Sequence, residues 1–555
     1  MKVFTEPTPE QQQPTWASIN WRAVEANVRR LQERIDRATE AGDWRKVKNL
    51  QKLLARATSN QLLAIRRVTQ ENRGKHTAGV DGVICDTPEA RMRLFHEGLT
   101  HKGYQPKPVR RVFIPKSNGK QRPLGIPTVR DRVMPAIVKA AREPEWEARF
   151  EANSYGFRPG RCTMDAIEAI HTTLSREGAS EWILAAEISG CFDNLSPAAL
   201  LARLPVFTTV IRRWLKAGVV ELGHYHETDA GTPQGGIISP LLMNVALDGM
   251  ERLFGAEALD GTTISPALRK GANRGIRLIR YADDFVATAP TREVLETYVV
   301  PQLTEFLQAR GRTLNEAKTR IVHRTQGFDF LGFQVRRFKR RLLTKPQKGK
   351  VLAHVRNIKA YLNHHPQAPA AQVIRDLNPV IRGWANYYRH CAANATYSYV
   401  RHRQWQMLWG WARRRHPNKP SKWVKHRYFR EDGYWTFYGK DAELVRPDAP
   451  PIMRFVKVTG RNSPYNPALR AYWQERTRRA VARQTYVKRK LALLARQEGR
   501  CAMCAILFAT TEEVHIHHII PRRAGGTDDL TNLQAVHPWC HQQHHQRCGY
   551  KVLKA

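Results

Sequence analysis

The chain is 555 residues long, more than one hydrophobic core normally supports, and 42% of its residues are apolar, enough to fold several domains. Lys and Arg number 91 against 49 Asp and Glu, a formal net charge of +42 that self-repulsion penalises unless a polyanion is the usual partner, which makes nucleic acid the leading one. No stretch approaches a transmembrane span or a membrane-surface helix, the N-terminus lacks the apolar core of a signal peptide, and eight cysteines in so long a chain make no disulfide framework.

In chain order, Trp21, Val24, Val28, Leu31 and Ile35 recur at helical spacing, and Trp44, Val47, Leu50 and Leu54 repeat the pattern, so the first eighty or so residues read as helical. From about 108 to 340, short apolar strands alternate with helical stretches and turns such as Ser117-Asn118-Gly119, a mixed α/β region and the enzymatic core candidate. Within it Ile276, Leu278 and Ile279 precede Tyr281-Ala282-Asp283-Asp284, and Phe285 and Val286 follow. Adjacent aspartates on a tight turn between strands place two carboxylates where one or two divalent cations bind, and nucleotidyl transfer needs such ions on its attacking and leaving oxygens.

Residues 377–430 are a different kind of sequence: no Asp or Glu, twelve Lys or Arg, and Trp384, Trp405, Trp409, Trp411 and Trp423 interleaved. Cations hold phosphates and aromatic faces stack on unpaired bases, so Arg382, Arg389, Arg413, Arg414, Arg415, Lys419, Lys422 and Lys425 are candidate RNA or DNA contacts. The competing account makes the tryptophans helix core and leaves only the cations to solvent. Both apply, because Trp405, Leu408 and Trp409 fit one helix face whereas Arg413-Arg414-Arg415-His416-Pro417 ends that helix in exposed charge. A Pro-containing stretch around 446–467 reads as a connector, followed by a basic helical run over 472–500. Beyond it, Cys501, Cys504, His537 and Cys540 offer four soft or borderline ligands in two close pairs, as a tetrahedral structural Zn2+ requires in a reducing compartment.

The aspartate turn has company that resembles the reverse transcriptases encoded by group II introns, over nearly the whole chain. Thr77-Ala78-Gly79-Val80-Asp81-Gly82 looks like that family's N-terminal extension motif, and Arg122-Pro123-Leu124-Gly125-Ile126-Pro127-Thr128 like its fingers motif. Ser154-Tyr155-Gly156-Phe157-Arg158-Pro159-Gly160, Thr232-Pro233-Gln234-Gly235-Gly236 and Phe328-Asp329-Phe330-Leu331-Gly332 stand in their usual order. The resemblance implies nucleotide binding by Lys116 and Arg122, cations suited to a triphosphate in any case, by Gln234 against the incoming nucleotide, and by Phe192 as the plate under the sugar that excludes a 2′-hydroxyl. Lys318 resembles a palm lysine near the primer side. The implied Mg2+ site comprises Asp283, Asp284, Glu187 and the neighbouring Ile188. Glu187 departs from the family, which has Asp there. The additional methylene moves the carboxylate by roughly a bond length, and a misplacement of order 1 Å costs about a hundredfold in rate, so impaired polymerisation is the expectation.

The C-terminal order of His517-His518, Gly525-Gly526, Asn532, His541 and His545 resembles the HNH endonucleases, whose ββα-metal site cuts DNA with one divalent ion. That resemblance implies His518 as general base, Asn532 holding it in orientation, and His517 and His541 with His545 on the catalytic ion, a divalent metal such as Mg2+. Spacing alone does not separate His544 from His545, though 541 and 545 share a helix face.

The expected architecture is multidomain α+β: a right-hand polymerase fold of fingers and palm, a helical thumb/maturase domain, and a small ββα-metal HNH domain. The expected divisions are an N-terminal helical extension over 1–90, fingers and palm over 91–340, thumb and maturase region over 341–450, a basic DNA-binding segment over 451–495, and the nuclease over 496–555. The resemblance implies an RNA-directed DNA polymerase that also assists intron splicing and nicks target DNA. Its implied partners are group II intron RNA, target DNA and dNTPs, in a bacterial cytoplasm and on the nucleoid. The alternative is an RNA-binding splicing maturase with weakened polymerase activity.

Overall fold

The computed structural model describes residues 15–115, 119, 121–190, 196–221, 223–227, 236–254, 275–431, 435–439, 442–446, 455–482, 488–506, 508 and 514–547. The N-terminal apolar repeat forms helices Trp21–Glu40, Trp44–Arg56 and Thr58–Arg66. Asn20 and Asp43 cap the first two by accepting from the Ala23 and Lys46 amides, and Gly42 takes φ +69° in the turn between them. Their apolar faces, including Val24, Val28, Ile35, Leu50 and Leu54, close one core against the long helix Val129–Arg149.

Eight strands follow: β1 (Val109–Pro115), β2 (Gln121–Ile126), β3 (Trp182–Glu187), β4 (Val219–Glu221), β5 (His224–His226), β6 (Arg277–Tyr281), β7 (Asp284–Ala289) and β8 (Arg320–His323). They make two sheets, a fingers sheet ordered β2-β1-β4-β5 and a palm sheet ordered β6-β7-β3-β8. Neighbours in the palm sheet are antiparallel, and both of its faces are covered, so its strands read as near-continuous apolar runs. Ile183, Ile279 and Val286 pack on one side with helix Thr163–Ser175, whereas Leu184, Ala186, Phe285 and Ala287 pack on the other with Leu303 and Phe306.

A meander of β9 (Phe328–Phe330), β10 (Phe333–Phe338) and β11 (Arg341–Pro346) joins the palm to four helices, Lys348–His364, Ala370–Tyr388, Asn394–Arg415 and Ser421–Tyr428. These close on Ile358, Leu377, Ile381, Leu408 and Trp411, with the small antiparallel sheet β12 (Phe429–Glu431), β13 (Trp435–Gly439) and β14 (Ala442–Glu443) at their end. At the C-terminus β15 (His515–His518), β16 (Leu533–Val536) and helix Pro538–Arg547 form a ββα unit.

Two features differ from the sequence reading. The stretch expected to be a connector leading into a DNA-binding segment is, over 455–476, fastened to carboxylates of the N-terminal half. Arg476 Nη2 lies 2.9 Å from the fully buried Asp165, whose Oδ1 also accepts from Val458 N at 2.7 Å; Tyr465 Oη donates to Glu143 at 2.8 Å; and Arg470 pairs with Glu33 at 3.0 Å. Arg470 and Arg476 are thereby spent on folding, which composition does not distinguish from cations aimed at solvent. Second, the C-terminal module seats on the N-terminal helices through Arg66. The buried guanidinium lies 4.6 Å from the Trp21 ring centroid and 3.6 Å from that of Trp539, paired with Glu25 and, at 2.7 Å, with Glu71. Burial pushes the Glu25 carboxyl upward, and Arg66 opposes that shift. Arg66→Ala strands Glu25 without its counter-ion and is expected to lower stability by about 3–5 kcal/mol, read by denaturant unfolding.

Candidate active sites

The palm site is assembled by strand register. Glu187, the last residue of β3, pairs with Asp284, the first of β7, and Asp284 pairs with Tyr281 across the two-residue loop Ala282-Asp283. Such a loop demands positive φ, and Ala282 takes +61°. Its backbone is pressed against Gly156, where a Cβ would lie 2.3 Å from the Ala282 nitrogen, so the glycine is fixed by that close approach. Buried Arg280 donates to Asn244 Oδ1 at 3.0 Å and to the Ala282 carbonyl at 3.2 Å, and Asn244 Nδ2 donates to the Gly156 carbonyl at 2.8 Å. The turn is therefore gripped from below by a hydrogen-bonded network rather than left as a solvated loop.

Burial first, then the charges of Asp283 and Glu187, push the Asp284 carboxyl up to about 7, with Lys318 opposing. Asp283 is raised mainly by burial and by Glu187, while Arg122 and Lys318 hold it down. Glu187 Oε2 accepts from Lys318 Nζ, so the carboxylate that departs from the family is drawn to a cation of the chain itself. Crowded anionic oxygens of this kind are what a hard divalent cation neutralises. Their ligand atoms do not all close to within 4.8 Å of one another, unlike the two C-terminal clusters. Ile188 has its side chain in the core and its N–H on the Asp283 carbonyl at 2.9 Å, so any contact with an ion is through backbone. Arg122 lies on β2 and acts electrostatically on Asp283. Lys116, Phe192 and Gln234 lie outside the described residues.

In the C-terminal module Cys501, Cys504, His537 and Cys540 are all buried, with their ligand atoms within 4.8 Å of one another. His537 Nδ1 is 3.2 Å from Cys504 Sγ and 3.7 Å from Cys540 Sγ, and the His537 amide donates to Cys501 Sγ at 3.4 Å. Hydrogen bonding, from Cys504 first and then Cys540, pushes the Cys501 thiol down, and the same contacts with Cys501 push Cys504 and Cys540 up. A buried thiolate–imidazole set with tetrahedral spacing fits Zn2+.

A second cluster follows from strand alternation. His515 and His517 share one face of β15 and turn towards the helix, where His517, His541 and His545 also bring ligand atoms within 4.8 Å. Burial and the neighbouring histidines push His517 and His541 down to about 4, leaving neutral imidazoles with lone pairs for a cation. His515, absent from the sequence reading, has its Nδ1 3.2 Å from that of His541; its i, i+2 spacing with His517 was the available signal. His544 also approaches His517, with ring centroids 4.6 Å apart.

His518 points the other way, its Nε2 2.8 Å from Asp528 Oδ1, and Asp528 is in turn forked by Arg522. An ionised carboxylate only accepts, so Nε2 is the donor, and in the neutral imidazole Nδ1 is the nitrogen left with a lone pair. Asn532, expected to orient His518, bonds to the loop that lies between them. Its side chain accepts from Ile520 N at 2.8 Å and donates to the Ile520 and Thr527 carbonyls, so it folds the loop that carries Asp528. Gly526 sits in that loop where a Cβ would fall 1.8 Å from the Ile520 oxygen.

On the thumb, Arg382, Arg413, Arg414, Lys419 and Lys422 are exposed. Two expected contacts face inward instead. Arg389 is only 6% exposed, and Arg415 lies over Trp411 while donating to the Pro366 and Ala368 carbonyls, closing the loop between helices. Lys425 is half-buried, its Nζ 3.4 Å from the Trp435 ring centroid. Trp411 is core, whereas Trp405 and Trp423 are exposed.

A palm that presents converging carboxylates on a hairpin, followed by a basic helical domain and a ββα unit with two metal-competent clusters, defines a polymerase-type protein with an appended nuclease-type module. Family models match in the same order: the N-terminal domain of reverse transcriptase over 16–97, reverse transcriptase (RNA-dependent DNA polymerase) over 114–335, the group II intron maturase-specific domain over 351–429, and HNH endonuclease over 501–547. Protein YkfC of Escherichia coli (strain K12) is 34% identical over 316 residues, 52% of this chain and 83% of that protein. The group II intron-encoded protein LtrA of Lactococcus lactis subsp. cremoris is 31% identical over 336 residues, 50% of this chain and 55% of LtrA. An uncharacterized 91 kDa protein in the cob intron of Schizosaccharomyces pombe is 26% identical, with 58% of this chain and 48% of that protein covered. The chain thus spans about half the length of the latter two. It belongs to the reverse transcriptases of group II intron type, with maturase and HNH endonuclease domains.

Proposed function

We propose that the chain is a multifunctional group II intron protein. It copies RNA into DNA, assists the splicing of its intron RNA as a maturase, and nicks target DNA at a specific site so that the new 3′ end primes reverse transcription. The observation that carries this reading is the pairing of Glu187 with Asp284 across the palm sheet, beside a turn held rigid by Arg280 and Gly156. Glu187, Asp283 and Asp284 would hold Mg2+, which when bound would supply positive charge to the attacking 3′-oxygen and the departing pyrophosphate. Arg122, with Lys116, Phe192 and Gln234, receives the dNTP. Lys318 keeps Glu187 in place, and the thumb cations hold RNA phosphates. In the nuclease, His518 Nδ1 removes the proton from a water and Asp528 and Arg522 fix its ring; His517, His541 and His545 would hold a divalent ion that stabilises charge on the phosphate, and Cys501, Cys504, His537 and Cys540 would hold Zn2+ as a staple.

The domains divide as 1–90, 91–340, 341–450, 451–495 and 496–555, with the fourth acting partly as a strap on the polymerase rather than wholly as a DNA contact. No described helix is long and apolar enough to cross a membrane. The place proposed for the protein, from its RNA and DNA partners, is a bacterial cytoplasm, on the nucleoid.

Primer extension on an RNA template, comparing the chain with Glu187→Asp, tests the polymerase. Metal-dependent extension is expected in both, rising about ten- to a hundredfold in Glu187→Asp if the methylene misplaces the carboxylate. Extension that survives Glu187→Ala unchanged removes Glu187 from the site. The Lys318 pairing of Glu187 favours one second reading, a splicing maturase whose polymerase is weakened, for which Glu187→Asp restores little and RNA binding is the main activity.

A further inference from the structure

The loop over 153–160 runs along the β6 edge of the palm sheet. Ser154 bridges to Arg280 in parallel, with Tyr155 N donating to the Arg280 carbonyl and Arg280 N to that of Asn153, both at 2.9 Å. The loop thus climbs beside β6 towards the aspartate hairpin. Gly156 already lies against Ala282 at the hairpin's tip, and Phe157 is the next residue. Neighbouring strands stand about 4.8 Å apart, so Phe157 emerges roughly one strand's width from the turn that carries Asp283.

Phe157 stands apart from the core. It is 53% exposed, and among the described residues it joins no apolar cluster. Its backbone is left-handed, φ +58°, a conformation that glycine takes freely and a bulky L residue does not. Among the described non-glycine residues with positive φ, it is the one large apolar side chain left exposed. Both neighbours are fixed. The Gly156 carbonyl accepts from Asn244 Nδ2 at 2.8 Å, and buried Arg158 pairs with Glu147 at 3.0 Å and donates to the Glu151 and Ser154 carbonyls. The fold gains little from the ring, bears an unfavourable backbone to present it, and holds it still. Strain fixed by neighbours on both sides belongs to surfaces that position a ligand.

The surroundings say which ligand. Both faces of the palm sheet are covered, so the ground open at this level is the end of the sheet where Glu187, Asp283 and Asp284 stand. Nucleotidyl transfer there requires a primer 3′ end at the carboxylates, which sets the last base pair of the primer–template duplex over the hairpin tip. We propose that Phe157 touches this duplex: its ring packs against the sugar and base edge of the terminal pair and holds the 3′-oxygen in line for attack. Apolar contact with a ring tolerates any base, as copying a template demands. The inference rests on the polymerase part of the reading above and adds to it a contact with the duplex, distinct from those with the metal and the dNTP.

The test uses the full chain and a DNA primer annealed to an RNA template, extended by one nucleotide in a single turnover. Phe157→Asn keeps a residue that tolerates the left-handed backbone and removes the ring, and Phe157→Gly removes ring and strain together. In both, extension at saturating dNTP falls about ten- to a hundredfold, the dNTP concentration for half-maximal rate stays within about twofold, and Phe157→Tyr restores most of the rate. Thermal melting separates contact from folding: Phe157→Gly melts no lower than the parent, whereas a ring that only packs the fold lowers melting and extension together. Parental extension in Phe157→Asn and Phe157→Gly, or a lowered melting temperature in Phe157→Gly, overturns the contact while leaving the polymerase reading intact. Failure of the unmodified chain to extend any primer overturns that reading and the contact with it.

Discussion

Primer extension on an RNA template falls about a thousandfold or more in Asp284→Asn, while the metal-free protein is no less stable than the parent. The two halves of this result have one cause. Asp284 is buried beside Asp283 and opposite Glu187, and its carboxyl is raised to about 7 by burial and then by those two charges. Ionising it is unfavourable without a cation, so Asn removes a strained charge from the metal-free fold. On the proposed reading the same substitution also removes an anionic ligand of an ion worth several kcal/mol to the developing charge in phosphoryl transfer, hence the thousandfold loss. The pH dependence follows with a definite sign. A carboxyl that binds its proton more tightly folded than unfolded lowers metal-free stability as pH climbs from about 4 to about 7. Mg2+ must displace that proton, so below pH 7 the Mg2+ concentration for half-maximal extension rises about tenfold per pH unit. Asp284→Asn loses this competition along with the activity. Extension by Asp284→Asn at the parental rate removes Asp284 from the metal site.

What the sequence disclosed, and what it withheld, follows from the range of the interactions. The paired cysteines, the shared helix face of His541 and His545 and the aspartate hairpin are local patterns, each set by the spacing of a turn or one helical turn. The palm sheet's opposed faces were likewise written in its apolar strands. Directions of charged side chains were not. Arg389 and Arg415 carry the same charge as Arg414 within the same acid-free stretch, yet two turn inward and one faces solvent, because carbonyls at Pro366 and Ala368 and the Trp411 face happen to lie within reach of Arg415. The strap over 455–476 meets Asp165, Glu143 and Glu33 from 293 to 437 residues away, and no local rule pairs them. Asp528 escaped for a milder form of the same reason. It meets His518 across a ten-residue loop whose fold depends on Asn532, so the residue type was visible while its aim was not.

That loop sets the second large effect. His518→Ala is expected to abolish DNA strand cleavage, a fall of about a hundred- to ten-thousandfold for loss of a general base, with primer extension and thermal stability unchanged. Extension is spared because the palm draws none of its ligands from the C-terminal module, and stability is spared because His518 is half-buried and is not among the four buried Cys501, Cys504, His537 and Cys540 ligands. Asp528→Asn separates positioning from base chemistry. The amide still reaches His518, but it is no longer obliged to accept, so the proton is not confined to Nε2 and the lone pair on Nδ1 is lost for part of the population. Cleavage then drops by a smaller factor, about tenfold, and Asp528→Ala drops it further. His517→Ala behaves differently from both, because it removes an ion ligand whose imidazole is held neutral, and raising the divalent metal concentration partly restores cutting there and does not in His518→Ala. A His518→Ala protein that loses primer extension along with cleavage assigns the residue to folding instead, and metal rescue of His518→Ala moves it from the base to the ion.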